Sequence, residues 1–242
     1  MAAAHLGCNA LGVPRILAVD WSGARIGEER AIWLAGAVDG RLVRLEGGRG
    51  REQLVAHLLE EAERDAELVV GLDFAFSLPD WFLRARGIVN VSNAWALVSR
   101  EAETWLRDPK PPFWRSRRPA GQVSFRRTEL ECGGRPKSVF QLVGDGQVGT
   151  GSLRGIPFLP RLRERFAIWP FDEPRLPLLV EIYPRLHLTG ADGDYPNEHA
   201  RDAAAAALAM SRWAGDWTRL PRDSGYALEG RIWHEGLVLE EV

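Results

Sequence analysis

The chain has 242 residues, 45% of them hydrophobic and 26% charged, with two cysteines and a formal net charge of −2. This length supports one sizeable core and is short for two full domains, and the composition excludes a disordered, collagen-like or disulfide-built protein. No window reaches the ~18 apolar residues of a membrane span, and the N-terminal MAAAHLGCNALGVP lacks the basic and apolar regions of a secretory signal, so a soluble, cytoplasmic α/β protein with no membrane partner is expected.

Residues 1–14 read as a tail and 15–242 as one domain with an insertion over about 80–170. RILAVDWSGA, from Arg15, is an apolar run ending in Asp20 and broken at Ser22-Gly23, the pattern of a buried strand reaching a sheet edge. AIWLAGAV (31–38) and RLVRL (41–45) flank Asp39-Gly40 and predict a hairpin with a tight turn. Leu54, Leu58, Leu59 and Ala62 recur at helical spacing over 51–65, a crossover helix leading to the strand ELVVGLDF (67–74), which again carries an acid, Asp73. Pro79 suits a first helical position, and 92–106 reads as a further helix.

The segment 107–137 carries nine Lys/Arg against three Asp/Glu, a local balance of +6 that leaves about −8 on the remainder. Its cations include Arg115, Arg117, Arg118, Arg126, Arg127 and Lys137, set among Phe113, Trp114 and Phe125. Such asymmetry suggests an anionic partner, although a solvated excursion pairing with the acidic remainder has the same composition. SVFQLV (138–143) is a strand or an extended lining segment, and 153–166 an interrupted helix. PLLVEIYPR (177–185) is a further buried strand, carrying Glu181. Pro196 and Asn197 open the helix EHARDAAAAALAMSRWA, which stops at Gly215 and places Glu198, His199 and Asp202 on one face. The C-terminal GRIWHEGLVLEEV closes a sheet edge, covers the core or pairs with another subunit.

Three acids, Asp20, Asp73 and Glu181, follow apolar runs, and strand ends are where α/β sheets place ligands. Gathering them with Asp202 costs roughly 1 to 4 kcal/mol per close pair, so a positive group must offset the repulsion. With no suitable cysteine set, a hard divalent cation, Mg²⁺ or Mn²⁺, is the expected neutraliser. Each acid taken alone also suits a strand-end cap or an ion pair. The Gly144 to Gly149 stretch fits G-x-G-x-x-G but lies deep in the chain before an interrupted helix, and Thr150 stands where a phosphate loop needs Lys.

The element order looks like the ribonuclease H-like fold, a mixed sheet with an antiparallel meander followed by parallel strands, flanked by helices. AVDWSGA, GLDFAFSLP, FRRTE, SVFQLVGDGQVGTGSLRGIPFLPRL, WPFD, VEIYPR and HARDAAAAALA, in that order over about 15–215, resemble the family of domains of unknown function numbered 429, a family of predicted nucleases. The resemblance implies a two-metal phosphodiesterase. Asp20 would bridge the two ions, Asp73 and Glu181 would complete one shell and Asp202 the other, and His199 would assist proton transfer. Glu129 would be a further acid. The basic segment, with Arg185, would then hold a nucleic-acid backbone, and Trp114 or Phe113 would stack an unpaired base. Tyr183 and Arg185 also suit structural roles at the strand end. A non-catalytic nucleic-acid or protein binding module of the same fold, and a phosphotransferase related to the sugar kinase and actin-like group, are the alternatives.

Overall fold

The computed structural model describes residues 14–115, 124–133, 136–143, 148–188, 193–237 and 239. The N-terminal tail to residue 13, Arg117, Arg118 and residues 144–147 of the Gly-rich stretch lie outside the described residues.

Strand β1 (Arg15–Asp20) pairs antiparallel with β2 (Trp33–Val38), which pairs antiparallel with β3 (Arg41–Gly47). The hairpin turn holds Asp39 at φ 49° and Gly40 at φ 69°, the two positive angles a tight Asp-Gly turn demands. Helix α1 (Arg51–Arg64) buries Leu54, Val55, Leu58 and Ala62 and leads into β4 (Leu68–Leu72), parallel to β1. Five helices follow: α2 (Asp80–Arg84), α3 (Val91–Arg107), α4 (Arg127–Glu131), α5 (Val148–Gly155) and α6 (Leu159–Leu162). Next come two strands, β5 (Ala167–Ile168) and β6 (Leu178–Glu181), and finally α7 (Glu198–Arg212). The result is a mixed six-stranded sheet, ordered β3-β2-β1-β4-β6-β5 and flanked by helices.

Local chemistry explains where elements depart from expectation. Strand β6 stops at Glu181, and a 3₁₀ turn at Pro184–Leu186 follows, since Pro184 has no N–H for a ladder. The helix expected over 153–166 starts at Val148 and breaks into α5, a 3₁₀ turn (Ile156–Phe158) and α6, around Gly155 and Pro157. Residues 138–143 form no strand of the sheet; Gln141 makes an isolated bridge to Trp114, so this is a lining segment. The two-residue β5 was not expected at all, its length giving no periodicity to read.

The sheet divides the interior. Leu17 and Val19 of β1, Val70 and Leu72 of β4, and Leu179 of β6 face a core shared with α1, α3 and the insertion helices. Ile16, Ala18, Val69, Val180 and Ile182 face the other core, which α7 covers. Ala203, Ala204, Ala206 and Ala207 are fully buried there against Ala18, Ala35 and Ala37, so small side chains on both partners let α7 lie close to β1 and β2. The far end of α7 is anchored at the hairpin, where the Gly40 N–H donates to Ser211 Oγ at 2.9 Å. The C-terminal segment takes two of the roles open to it: it covers the core, with Trp233 fully buried, and it closes the edge of β6, where Ile232 bridges Glu181 in parallel and the Trp233 backbone N–H donates to the Glu181 carbonyl at 2.8 Å. No described helix is long and apolar enough to cross a membrane.

Candidate active site

Because β1, β4 and β6 run parallel, their C-terminal ends share one edge of the sheet. Asp20 is the last residue of β1, and Asp73 follows β4 with its N–H donating to the Val19 carbonyl at 3.0 Å. The register pairs Val19 with Leu72 and Leu72 with Glu181. Alternation then sets Asp20 and Asp73 on the α7 face and Glu181 on the opposite face, in line with Leu179 and Leu72. A one-residue difference in register therefore separates acids that look equivalent in sequence.

On the α7 face the carboxyls of Asp20 and Asp73 lie within hydrogen-bonding reach of each other. Burial, then the charges of Asp20 and Asp202, hold Asp73 well above the ordinary aspartate pKa. Asp20, 6% exposed, is also raised by burial, against the opposing pull of His199. His199 Nδ1 meets Asp20 Oδ2 at 2.8 Å, and that bond raises the imidazole pKa. Asn197 caps α7 by accepting from the Ala200 N–H at 2.9 Å, which fixes the turn that carries His199 and Asp202. Asp202 is partly exposed and pairs with its neighbour Arg201 at 3.1 Å. Asp20, Asp73, His199 and Asp202 line one cleft of about 440 Å³, together with Glu198, Tyr183, Lys137 and Arg185. Lys137 and Arg185, both expected as phosphate contacts, have no ionic partner among the described residues.

Glu181 borders Asp73 in a smaller adjoining pocket, but its carboxylate is committed to other partners. It is 2% exposed and accepts from Arg126 Nη1 at 2.9 Å, from Arg126 Nη2, and from the Phe76 N–H at 3.0 Å. Arg126, 1% exposed, also donates from Nε to Glu129 at 3.0 Å and from Nη1 to the Glu229 carbonyl at 3.1 Å. Burial alone would lower the Arg126 pKa, but Glu181 and Glu129 hold it above the usual value. Glu181, expected as a metal ligand, Glu129, expected as a further acid, and Arg126, expected at a phosphate, neutralise one another inside the fold.

The basic segment is likewise divided by the fold. Arg127 pairs with Glu131 at 2.7 Å and Asp223 at 3.4 Å, and lines neither large cleft. Phe113 is 3% exposed and stacks on Trp105 at 4.9 Å, a core position and not a base platform. Trp114 is half-buried and packs against the same core. Arg115 donates to the Leu106 carbonyl and lines a second cleft.

The sequence reading missed the loop after β1 as a built element. Arg51 Nη1 donates to the Ser22 and Ala24 carbonyls, both at 2.9 Å, and Arg154 Nη1 donates to the Gly23 carbonyl between them. Gly23 is pressed against α5, where a Cβ would stand 2.5 Å from the Gly151 nitrogen. Only the Gly and Ser in WSGA hinted at this; the two arginines lie 27 to 131 residues away.

The donor chemistry at the cleft, aspartate oxygens with one imidazole, suits a hard cation. Among the described residues no three His, Cys, Asp or Glu side chains close around one point in this arrangement. Comparison with protein-family models, with curated proteins and with solved structures returned no match.

Proposed function

We propose that the chain is a divalent-cation-dependent phosphodiesterase acting on nucleic acid, built on a ribonuclease H-like sheet. The observation that carries this reading is the close approach of Asp20 and Asp73, two carboxyls that keep raised pKa values although Asp20 is bonded to His199, in a cleft that also holds Asp202. Carboxylates held so close demand either a shared proton or an external cation. Asp20, Asp73 and Asp202 would hold Mg²⁺ or Mn²⁺, Asp202 by turning from Arg201; with Glu181 committed to Arg126, three acids remain of the four that a two-ion site was expected to use. Such an ion, when bound, supplies charge stabilisation and an activated water.

The chain's own residues have separable tasks. Lys137 and Arg185 offset the charge of a phosphate entering the cleft. His199 Nδ1 shares a proton with Asp20 Oδ2, so its Nε2, on a side chain 41% exposed, is the atom placed to exchange a proton with a leaving oxygen. The loop from Trp21 to Ala24, tied by Arg51 and Arg154, forms a fixed wall for the substrate.

Titration with Mn²⁺ should show saturable binding to the wild-type chain, weakened at least tenfold in Asp73→Asn. A cleavage screen over labelled DNA, RNA and branched substrates should then give cation-dependent products that Asp73→Asn does not. Undiminished Mn²⁺ affinity in Asp73→Asn, or cation binding with no cleavage of any substrate, refutes the activity; the latter result would leave a binding module.

A further inference from the structure

Behind the loop wall lies a second cleft of about 420 Å³, lined by Arg25, Arg107, Arg115 and Arg154, with Glu103 and Thr150 among its other residues. Glu103 is consumed by Arg154, whose Nε donates to it at 2.9 Å, and this bond leads the causes that lower the Glu103 pKa. Arg25 and Arg107 are exposed and have no carboxylate partner among the described residues, and Arg115 is held only by the Leu106 carbonyl. Three guanidinium groups from three separate elements therefore face one concavity without an ion pair among the described residues, and the acid that lines it with them, Glu103, is bonded to Arg154 while also feeling the Arg25 charge. Arg25 comes from the loop after β1, Arg107 ends α3, and Arg115 follows the Trp114 bridge.

The two clefts share a wall. Gly23, Ala24 and Gly151 line the aspartate cleft, and the adjoining Arg25, Thr150 and Arg154 line the arginine cleft. Arg154 fastens that wall through the Gly23 carbonyl while pairing with Glu103 on the far side. Leu106, Leu142 and Val143 add apolar surface, Val143 being 45% exposed, which a lone phosphate would not use.

We infer that the arginine cleft is a backbone subsite for a single strand of nucleic acid, one stretch of which passes over the wall from the aspartate cleft. The inference rests on the phosphodiesterase reading for its substrate class, but binding here is independent of the cation. Regularly spaced phosphates match separated guanidinium forks, and a concavity of this volume falls in the range of single ligand sites, roughly 300 to 1,000 Å³. It is too small to enclose a duplex.

The test uses the full chain in EDTA and a fluorescein-labelled oligothymidylate a dozen nucleotides long, read by anisotropy across a salt series. Arg25→Ala/Arg107→Ala should weaken binding at least tenfold at low salt and lower the salt slope by about 1.4, roughly 0.7 per lost phosphate contact on a single strand. Arg84→Ala, a surface arginine outside both clefts, should leave binding within twofold. Mn²⁺ affinity should be unchanged in the double variant, which also reports that the aspartate cleft is intact. Binding by the double variant within twofold of wild type overturns the inference, as does an absence of oligonucleotide binding by the wild type. Thymidine monophosphate binding as tightly as the oligomer would also overturn it, leaving a single-phosphate site. Arginine-dependent strand binding without Mn²⁺ binding would uphold the subsite and sink the phosphodiesterase reading instead.

Discussion

Replacing Arg126 by Ala isolates the largest electrostatic commitment in the fold. The guanidinium makes two bonds to Glu181 and one from Nε to Glu129, and these carboxylates are 2% and 3% exposed. Truncation leaves both acids buried without their cation, and breaking a buried ion pair by removing one partner costs about 3 to 5 kcal/mol. At a urea slope of ~2 to 3 kcal/mol/M the unfolding midpoint should fall by about 1 to 2.5 M. The ten tryptophans supply the fluorescence signal. Glu181→Gln should lose a smaller part of this stability, because the amide keeps an acceptor for the Phe76 N–H while dropping the charge. Mn²⁺ affinity of Glu181→Gln should stay within about threefold of wild type, since Glu181 lies across the sheet from Asp20. A loss below about 1 kcal/mol in Arg126→Ala, together with abolished Mn²⁺ binding in Glu181→Gln, would refute the division of the acids into two groups.

Asp73→Asn should stabilise the cation-free protein at pH 7 by about 1 kcal/mol or more, by removing one of two touching carboxylates. A raised folded pKa means that stability is present below the ordinary value of 3.8 and lost as pH rises through the folded value, so the advantage should vanish near pH 3.8; an Asn variant less stable at pH 7 would contradict this. His187 is buried beside Trp233, with neither ring nitrogen partnered among the described residues and its pKa pushed down to about 4 from 6.5. Its folded pKa is depressed, so the wild type should lose about 3 kcal/mol relative to His187→Phe as pH falls from 6.5 to about 4, and a flat difference in urea midpoints over that window would refute the assignment. Gly23→Ala places a Cβ 2.5 Å from the Gly151 backbone, so the wall must open; melting temperature and Mn²⁺ affinity should both fall, and a variant matching wild type in both would show that the contact yields freely.

Much of the sheet was legible because its signals are local. The Asp-Gly turn fixes a hairpin, the apolar runs before Asp20, Asp73 and Glu181 mark buried strands, and the alanines after Asp202 mark a helix that must approach closely. The juxtaposition of Asp20, Asp73, Asp202 and His199 followed from those elements. The commitment of Glu181 to Arg126 was not legible because register is a tertiary property: an apolar run locates a strand end but not its parity against the neighbouring strand. The basic segment misled for a related reason. A local charge count cannot see that Arg126 meets Glu181 55 residues away, or that Arg25, outside the segment, joins Arg107 and Arg115.

The alternation across the sheet edge sets two groups of acids side by side with different counter-ions, close enough for the Glu181 charge still to act on Asp73. On one face an internal guanidinium is the counter-ion, and on the other the basic partner of Asp20 is the partly exposed His199 imidazole, in a cleft open to solvent. A single-residue insertion or deletion between Leu178 and Glu181 would exchange these roles, swinging Glu181 into the open compartment and stranding Arg126 in the closed one. Four residues of β6 thus set the permissible drift of the whole site: substitutions along the strand can be absorbed one at a time, but a change in its length cannot.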